Sequence, residues 1–215
     1  MNDLDSRFLR LGDCFAQRFS KAGAFKYILT QTGGDYAALG GDTYSISVEP
    51  DKGSGTQHNV VVRQRGKTLV AEPADLVIHS GDTVLWHTME AATPGFAVVG
   101  QGALGNLNSA ALTAEALFSH AFGIPGRYEW TDANGGGARG EIEVRGFEMR
   151  QQKDQKKWLA ALAKGTVIKV TGDKAAPARV EIMVGQTVLW LVDKAPGITV
   201  TDSRLVRPNP ANKKK

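Results

Sequence analysis

Cysteine is nearly absent from this sequence, since Cys14 is the only one among 215 residues. A single cysteine excludes a disulfide within the chain and any metal cluster held by several thiolates. Long apolar runs are missing too, because no stretch reaches the roughly 18 residues that a membrane-spanning helix needs. The first residues, MNDLDSRFLRLGDCF, do not place an apolar segment after a basic one, as a secretory signal does. We therefore predict a cytoplasmic protein, or part of a particle assembled there, with no membrane insertion.

Charged residues are few, at 22% of the chain, and they leave a formal net charge of +4. Together with 42% hydrophobic residues and 25 glycines, this composition is typical of a globular, turn-rich protein. Lysines cluster in only two places, at Lys153, Lys156 and Lys157 and in the terminal run Lys213 to Lys215. Nucleic-acid binding needs basic residues gathered on one face, preferably beside aromatic stacking partners. Nucleic acid is therefore a weakly supported partner, through the basic tail, and solvated lysines are the favoured interpretation.

The motifs of common enzymes are missing as well. The sequence has no Gly-x-Ser-x-Gly elbow and no His-Glu-x-x-His motif. Gly135 to Gly137 form a glycine run, but neither a helix nor Gly-Lys-Ser/Thr follows it, so a turn is favoured over a phosphate-binding loop. Glu129 and Asp132 lie just before this run, and a lone pair of exposed carboxylates does not make a general acid and base. We predict no catalytic and no cofactor-binding residue.

What the sequence does contain is an internal repeat, and its first block aligns without a gap. Residues 73–86 read PADLVIHSGDTVLW and residues 177–190 read PARVEIMVGQTVLW, at an offset of 104. Shortly after each block, Pro-Gly precedes an apolar residue, beginning at Pro94 and at Pro196. The shared Gly-x-Thr-Val-Leu-Trp is typical of a turn glycine that leads into a β-strand. We call each copy of this block an A half.

The second block of the repeat has an offset of 103 and is rich in aromatic residues. Five residues of each copy align: Phe15, Phe19, Gly23, Phe25 and Tyr27 with Phe118, Phe122, Gly126, Tyr128 and Trp130. A glycine-rich loop and a closing strand follow in each copy, and these strands read YSISV from residue 44 and GEIEV from residue 140. Alternating aromatic residues are typical of the buried face of a strand. We call each copy a B half, so the chain order is B, A, B, A.

These patterns predict an all-β protein with little helix. A helical linker is predicted over residues 151–164, where Trp158, Leu159 and Leu162 follow helical spacings. A short helix is predicted over residues 110–118. The segment 51–67 of the first repeat is predicted as a loop and a strand at residues 58–63. Cys14 aligns with Leu117 and is expected to be a small buried apolar residue.

An A half followed by a B half resembles a cupredoxin, the superfamily of plastocyanin and azurin. The resemblance covers residues 73–146 and rests on GDTVLW from residue 81, Phe118 and Phe122, GRYEW from residue 126 and GEIEV from residue 140. It implies a Greek-key β-sandwich, and through the repeat it extends to residues 11–48 and 177–200. It implies little about function, because one fold hosts many functions.

The residues that would bind copper in such a scaffold are missing from both copies. A blue-copper site needs two imidazoles, a thiolate and usually a weak axial thioether. The Pro-His position of the family holds Pro94-Gly95 and Pro196-Gly197 here. The segments in place of the ligand loop, residues 131–138 and 28–41, contain no Cys, His or Met. We therefore predict no copper site and no redox catalysis.

A rebuilt metal site would have to use the histidines, and their spacing does not favour one. The sequence has four, at His58, His79, His87 and His120, with no common ligand spacing. Scattered histidines of this kind are more often structural or solvated than metal ligands. We predict no metal-ligating residue.

The order B, A, B, A leaves open which halves close together. Following the order of the family, we predict one complete sandwich over residues 68–146 and a second, circularly permuted one from residues 1–49 plus 165–203. Residues 50–67 and 147–164 are then linkers, and residues 204–215 form a basic tail. Closure of the outer halves within one chain is favoured, because a tethered partner has an effective concentration of about millimolar. The alternative, docking of the last A half onto the next chain, would give rings or filaments.

A retained scaffold without its ligands, duplicated and followed by a basic tail, favours a non-catalytic structural or assembly subunit. Its partners would be proteins, through self-assembly or within a larger complex or particle. A ligand- or carbohydrate-binding β-sandwich module is the first alternative, and exposed tryptophans would favour it. An electron-transfer protein with a rebuilt metal site is the second.

Overall fold

The computed structural model describes residues 3–31, 43–52, 55–102, 105–148 and 152–206. Within these ranges the first repeat forms nine strands: β1 Asp13–Arg18, β2 Gly23–Thr30, β3 Tyr44–Lys52, β4 Gln57–Arg65, β5 Thr68–Glu72, β6 Asp75–Ser80, β7 Thr83–His87, β8 Ala97–Gly102 and β9 Gly105–Asn108. The second repeat forms eight: β10 Ala116–Ala121, β11 Gly126–Asp132, β12 Arg139–Arg145, β13 Thr166–Thr171, β14 Lys174–Ala176, β15 Arg179–Met183, β16 Thr187–Lys194 and β17 Val200–Asp202. One α-helix, α1 Gln152–Leu162, lies between β12 and β13, and a 3₁₀ turn spans Ser203–Leu205. The predictions of an all-β protein and of a helix within residues 151–164 are confirmed.

The described strands form three sheets. The largest has eight strands in the order β14-β13-β16-β10-β1-β7-β4-β5, the second five in the order β6-β3-β2-β8-β9, and the third four in the order β15-β12-β11-β17. Each smaller sheet takes its strands from one repeat, whereas the eight-stranded sheet takes four from each. The repeats meet at the antiparallel pair β1–β10, where Phe15 lies opposite Phe118. Because these two phenylalanines are equivalent in the repeat, a pseudo-twofold axis passes through this point of the sheet.

Equivalent strands of the two repeats make equivalent pairs. β1 pairs with β7 and β10 with β16, both antiparallel. β3 pairs with β6 and β12 with β15, and β4 pairs with β7 and β13 with β16, all parallel. Each B half is therefore joined to the A half that follows it in the chain.

This pairing corrects the predicted domains. Residues 68–146 do not form one unit, and residues 1–49 do not form another with 165–203. The alignment of the repeat identifies equivalent strands but not their partners, and sequential elements joined by short connections usually lie side by side. The predicted linker 50–67 is also wrong, because it contains β4 of the eight-stranded sheet. The linker 147–164 does contain α1, which is an insertion between β12 and β13 and has no counterpart among the described residues between β3 and β4.

The predicted helix over residues 110–118 does not form, although all of these residues are described. β10 begins at Ala116, and Leu112 instead makes an isolated antiparallel bridge with Ile198. A few apolar residues at helical spacing also fit an extended segment that packs on a sheet, so spacing alone did not separate the two.

Aromatic side chains join the smaller sheets to the large one. Trp86 stacks on Phe15, with 5.3 Å between ring centroids, and contacts Tyr27 of the five-stranded sheet edge-on at 5.5 Å. Trp190 makes both contacts again in the second repeat, at 5.6 and 5.9 Å, with the equivalent side chains. Because Phe15 lies opposite Phe118, both aromatic groups are on one face of the eight-stranded sheet. The buried residues of both repeats form one main cluster, so a division into two separate sandwich domains is not supported.

The segments that lead into β1 and β10 cross between the repeats. Ser6 donates its backbone N–H to the carbonyl of Val200 (2.9 Å), and its Oγ accepts the N–H of Val200 (3.1 Å). Ser109, the equivalent residue of the second repeat, makes the same two bonds with Val98, at 2.9 and 3.0 Å. Val200 belongs to the second repeat and Val98 to the first. Each leading segment is therefore bonded to a late strand of the other repeat, which ties the two together.

Candidate functional site

The two segments that the resemblance to cupredoxins places at the copper-ligand positions meet in the second repeat. The side-chain amide of Asn134, after β11, donates to the carbonyl of Gly197, before β17 (3.2 Å). Between them, the buried carboxylate of Asp132 accepts the N–H groups of Asn134 (3.0 Å), Gly136 (3.1 Å) and Thr199 (2.9 Å). A side chain at Gly136 would collide with this carboxylate, which explains why this position of the glycine run is glycine. Hydrogen bonds to Asp132 therefore hold the loop closed.

In the first repeat, the corresponding Pro-Gly lies beside the N-terminal segment. A Cβ atom at Gly95 would lie 3.3 Å from Cβ of Phe8 and from Nε of Arg10, and Leu9 bridges to Phe96. Most of the predicted loop 28–41, residues 32–41, lies outside the described residues. In the part of the chain that the structure describes, no three His, Cys, Asp or Glu side chains gather as a metal-ligand set. The absence of a metal stays a prediction.

Three of the four histidines lie on different strands, in β4, β6 and β7. The ring of His58 in β4 lies 3.1 Å from the carboxylate of Asp82, which also accepts the N–H of His79. The backbone bond from His79 and the contact with His58 hold the pKa of Asp82 below its usual value. The ring of His79 itself is half exposed, 3.7 Å from Glu49. His87 in β7 is half-buried, and burial lowers its pKa.

The fourth histidine belongs to a buried pair that sequence reasoning missed. Nδ1 of His120 lies 2.6 Å from Oδ1 of Asp13, and the two side chains are 2% and 0% exposed. The other carboxylate oxygen accepts the N–H of Arg10 at 2.9 Å. Burial raises the pKa of Asp13, and the hydrogen bond from His120 opposes that rise. No sequence signal could have revealed this pair, because it depends on the β1–β10 register, in which Asp13 lies opposite His120.

An Asp–His pair orients the base of many hydrolytic triads, but this one is placed differently. Both side chains are closed off from solvent, so no substrate can reach them. The only cysteine, Cys14, points to the opposite face of β1, as the alternation of side chains along a strand requires. The pair therefore joins the two repeats.

The most distinctive surface is the face of the eight-stranded sheet that points away from the other two sheets, which we call the outer face. Register partners on this face form a row across six strands that reads Lys169, Leu191, Leu117, Ala16, Leu85 and Asn59. We call the four central apolar residues the leucine stripe. Leu191 is 38% exposed, and Leu85 and Leu117 are partly exposed. A groove of about 460 Å³ lies over the stripe.

A second row on the outer face runs beside the leucine stripe. It reads Val167, Leu189, Ser119, Cys14, His87 and Val61. Val167 is 50% exposed. Cys14 is half-buried here rather than part of the core, so its predicted place is corrected, and burial raises the pKa of its thiol.

Charges of both signs border the leucine stripe. At one end Lys169 pairs with Asp193 at 3.1 Å. Along its side, the N–H of Arg18 donates to the carbonyl of Glu115 (3.1 Å). Neither of these two side chains has an ion-pair partner among the described residues. Two cations and two anions leave the border of the stripe with no net charge.

Glu115 also has an unusual backbone. Its φ of 67° lies in the left-handed region, where the equivalent residue of the first repeat is Gly12 at 93°. A residue with a Cβ atom costs about 1–2 kcal/mol in this conformation. Glu115 keeps a charged side chain beside the stripe at a position where glycine is the less strained residue.

Within the described residues, no helix has the length and apolar character to cross a membrane. No protein-family model matches the chain, and comparisons with curated proteins and with solved structures give no match either. The likeness to cupredoxins therefore rests only on the residues quoted above.

Proposed function

We propose that this chain is a non-catalytic structural or assembly subunit that binds other protein chains through the outer face of its eight-stranded sheet. The observation that carries the proposal is the leucine stripe, in which three partly exposed leucines and the small Ala16 form one continuous apolar row along a groove. Contiguous apolar patches on a folded protein are typical of interaction sites. Full burial of a leucine contributes about 1.5–3 kcal/mol, so completing the burial of three would stabilise a complex substantially.

The border charges favour a protein over a nucleic acid as the partner. A nucleic-acid surface needs a net excess of lysine and arginine, whereas the charges that border the leucine stripe cancel. The lysines of α1 lie on a helix that packs elsewhere, since Trp158 of α1 donates to the carbonyl of Val184 at 2.9 Å. The terminal lysines, Lys213 to Lys215, lie outside the described residues.

The glycan-binding alternative would use exposed tryptophans, and none of the four offers a platform. Trp86, Trp130 and Trp190 are buried at 0–1% exposure. Trp158 is half-buried and stacks on Phe147, with 6.5 Å between ring centroids. No observation favours this alternative or the electron-transfer one over the proposed function.

We further propose that each repeat is a cupredoxin-like Greek-key unit that arose by internal duplication, and that the two units share one sheet. Equivalent strand pairs and equivalent aromatic contacts in the two repeats support this. A solenoid is the alternative, because the four parallel pairs between nearby strands are of the kind that solenoids use. Solenoid repeats, however, stack by translation onto their neighbours. Here the repeats meet through the antiparallel pair β1–β10 about a pseudo-twofold axis, which favours paired units.

The proposed function is tested by capture from an extract of the source cells, with immobilised full-length chain and two variants. Leu191→Lys places a charge in the leucine stripe, and Val77→Lys places one on an exposed position of β6, where Val77 is 64% exposed. We expect wild type and Val77→Lys to retain the same proteins, including further copies of this chain, and Leu191→Lys to lose them. Retention of nothing by wild type, with a monomer at high concentration, would contradict the proposal.

A further inference from the structure

We infer that the outer face binds a second copy of this chain, in a twofold-symmetric dimer that packs the two eight-stranded sheets face to face. This inference rests on the proposed function and names its partner. Two sheets in contact interdigitate their side chains with about 10 Å between the layers. The partly exposed leucines would then fill the core of the interface.

The size of the outer face fits a dimer interface. Eight strands at a spacing of about 4.8 Å, each about five residues long, give a flat footprint of about 34 Å by about 17 Å, roughly 600 Å². Corrugation by side chains raises the accessible area above this value. A stable interface of standard size buries about 800 Å² per partner. The outer face therefore supplies the order of area that a dimer needs.

The charges beside the leucine stripe are self-complementary. Arg18 and Glu115 are neighbours of opposite sign, and neither has an ion-pair partner among the described side chains. In a twofold contact one surface meets its own copy, so Arg18 can pair with the partner's Glu115 and the reverse. Because the four charges that border the stripe cancel, two copies of the stripe can also approach each other without net repulsion between these borders.

The strained backbone of Glu115 fits the same role. Residues held in sparsely populated conformations cluster at functional sites, where the strain persists because the residue is needed. Glycine stands at the equivalent position of the first repeat, Gly12, which does not border the stripe's groove. The second repeat retains a carboxylate at this turn, where it can meet a cation of the partner.

Sedimentation velocity of the purified full-length chain, from about 1 µM to about 100 µM, tests the inference over the range where interfaces of this size dissociate. We expect the mass to rise from 23.0 kDa to twice that value and to stop there. Val167→Lys should raise the dimer dissociation constant by about 100-fold or more, because a buried lysine would occur twice in the interface. Val77→Lys is the matched control, since both valines are exposed strand residues, at 50% and 64%, and only Val167 lies on the outer face. It should leave the constant unchanged.

A charge exchange separates a specific interface from general stickiness. Arg18→Glu should weaken the dimer about tenfold, because it sets glutamate against the partner's Glu115. Glu115→Arg should weaken it similarly, by setting two arginines together. The double variant Arg18→Glu/Glu115→Arg restores opposite charges and should recover most of the affinity. Failure of the double variant to recover would overturn the proposed pairing.

Other outcomes distinguish the inference from the proposed function. A mass that grows past twice the monomer identifies head-to-tail assembly and overturns the twofold dimer. A monomer at all concentrations, with capture of a different protein that Leu191→Lys abolishes, overturns the dimer and leaves the proposed function standing. A monomer that captures nothing overturns both.

Discussion

Replacing His120 by phenylalanine tests the buried pair that joins the two repeats. The change keeps an aromatic ring against Phe122, which now lies 4.6 Å away edge-on, but removes the hydrogen bond to Asp13. The carboxyl group is then fully buried, and the N–H of Arg10 is its only remaining partner among the described residues. Removing the partner of a buried carboxylate in this way costs about 3–5 kcal/mol. At about 2–4 °C per kcal/mol for a chain of this size, we expect Tm at neutral pH to fall by at least about 6 °C.

The loss should depend on pH in a defined direction. Burial already raises the pKa of Asp13, and the bond from His120 opposes that rise, so the variant raises this pKa further. A carboxyl group whose pKa is higher in the folded state favours folding most at pH below its unfolded pKa of about 3.9, and the contribution is lost as the pH rises through the folded pKa. The difference in stability between wild type and His120→Phe should therefore be largest at pH well above the unfolded pKa and shrink as the pH is lowered toward about 3.9.

Urea unfolding at several pH values measures the effect, with two controls. His79→Phe makes the same chemical change at a half-exposed ring 3.7 Å from Glu49, where an ion pair contributes about 1 kcal/mol or less. Asp13→Asn/His120→Phe leaves no buried charge and can still accept the N–H of Arg10, so it should regain at least half of the loss. A loss equal to that of His79→Phe, or one independent of pH, would refute the reasoning.

Three further changes test other parts of the structure. Ser109→Ala leaves the N–H of Val98 buried without its acceptor, and we expect urea unfolding to show a loss of about 1–3 kcal/mol in the free energy of unfolding. An unchanged free energy of unfolding would contradict a stabilising role for this bond between the repeats. Glu115→Gly should raise the free energy of unfolding by about 0.5–1 kcal/mol at low protein concentration, because glycine tolerates the left-handed conformation. The same change should weaken the dimer. A lower free energy of unfolding would contradict the backbone strain assigned to Glu115. Gln186→Ala removes the side chain that donates to the carbonyl of Ala161 in α1 (2.8 Å) and to that of Lys164 just after the helix (3.1 Å). Hydrogen exchange should therefore quicken in α1 and not in β16. Equal exchange rates in wild type and variant would contradict a role of Gln186 in holding α1.

Much of the local structure could be predicted because strand signals are short-range. Gly81 before Thr-Val-Leu-Trp and alternating aromatic residues such as Phe25 and Tyr27 place strands where the structure has them, with Trp86 and Trp190 in the core. The spacing of Trp158 and Leu162 likewise predicts α1. Such signals depend only on neighbours in the chain, and the repeat doubles each of them.

The pairing of the halves could not be predicted, since either arrangement buries the same apolar faces. The order of cupredoxin segments favoured joining the first A half to the second B half, whereas the structure joins each B half to the next A half. Once β1 lies beside β10, further features follow that have no signature in the sequence. Asp13 comes to lie opposite His120, and Ala16 and Leu117 become adjacent in the leucine stripe. The candidate surface is therefore a product of strand register, and only a structure could reveal it.

The most direct test of the central claim is a methyl NMR dilution series with a soluble paramagnetic agent, which broadens the signals of methyl groups that it can reach. On going from dilute to concentrated protein, we expect Leu85, Leu117, Leu191 and Val167 to become protected, while Val77 stays accessible at every concentration. The account would be contradicted if Leu85, Leu117, Leu191 and Val167 stayed equally accessible at every concentration and with every added partner. It would also be contradicted if Leu159 of α1 became protected instead.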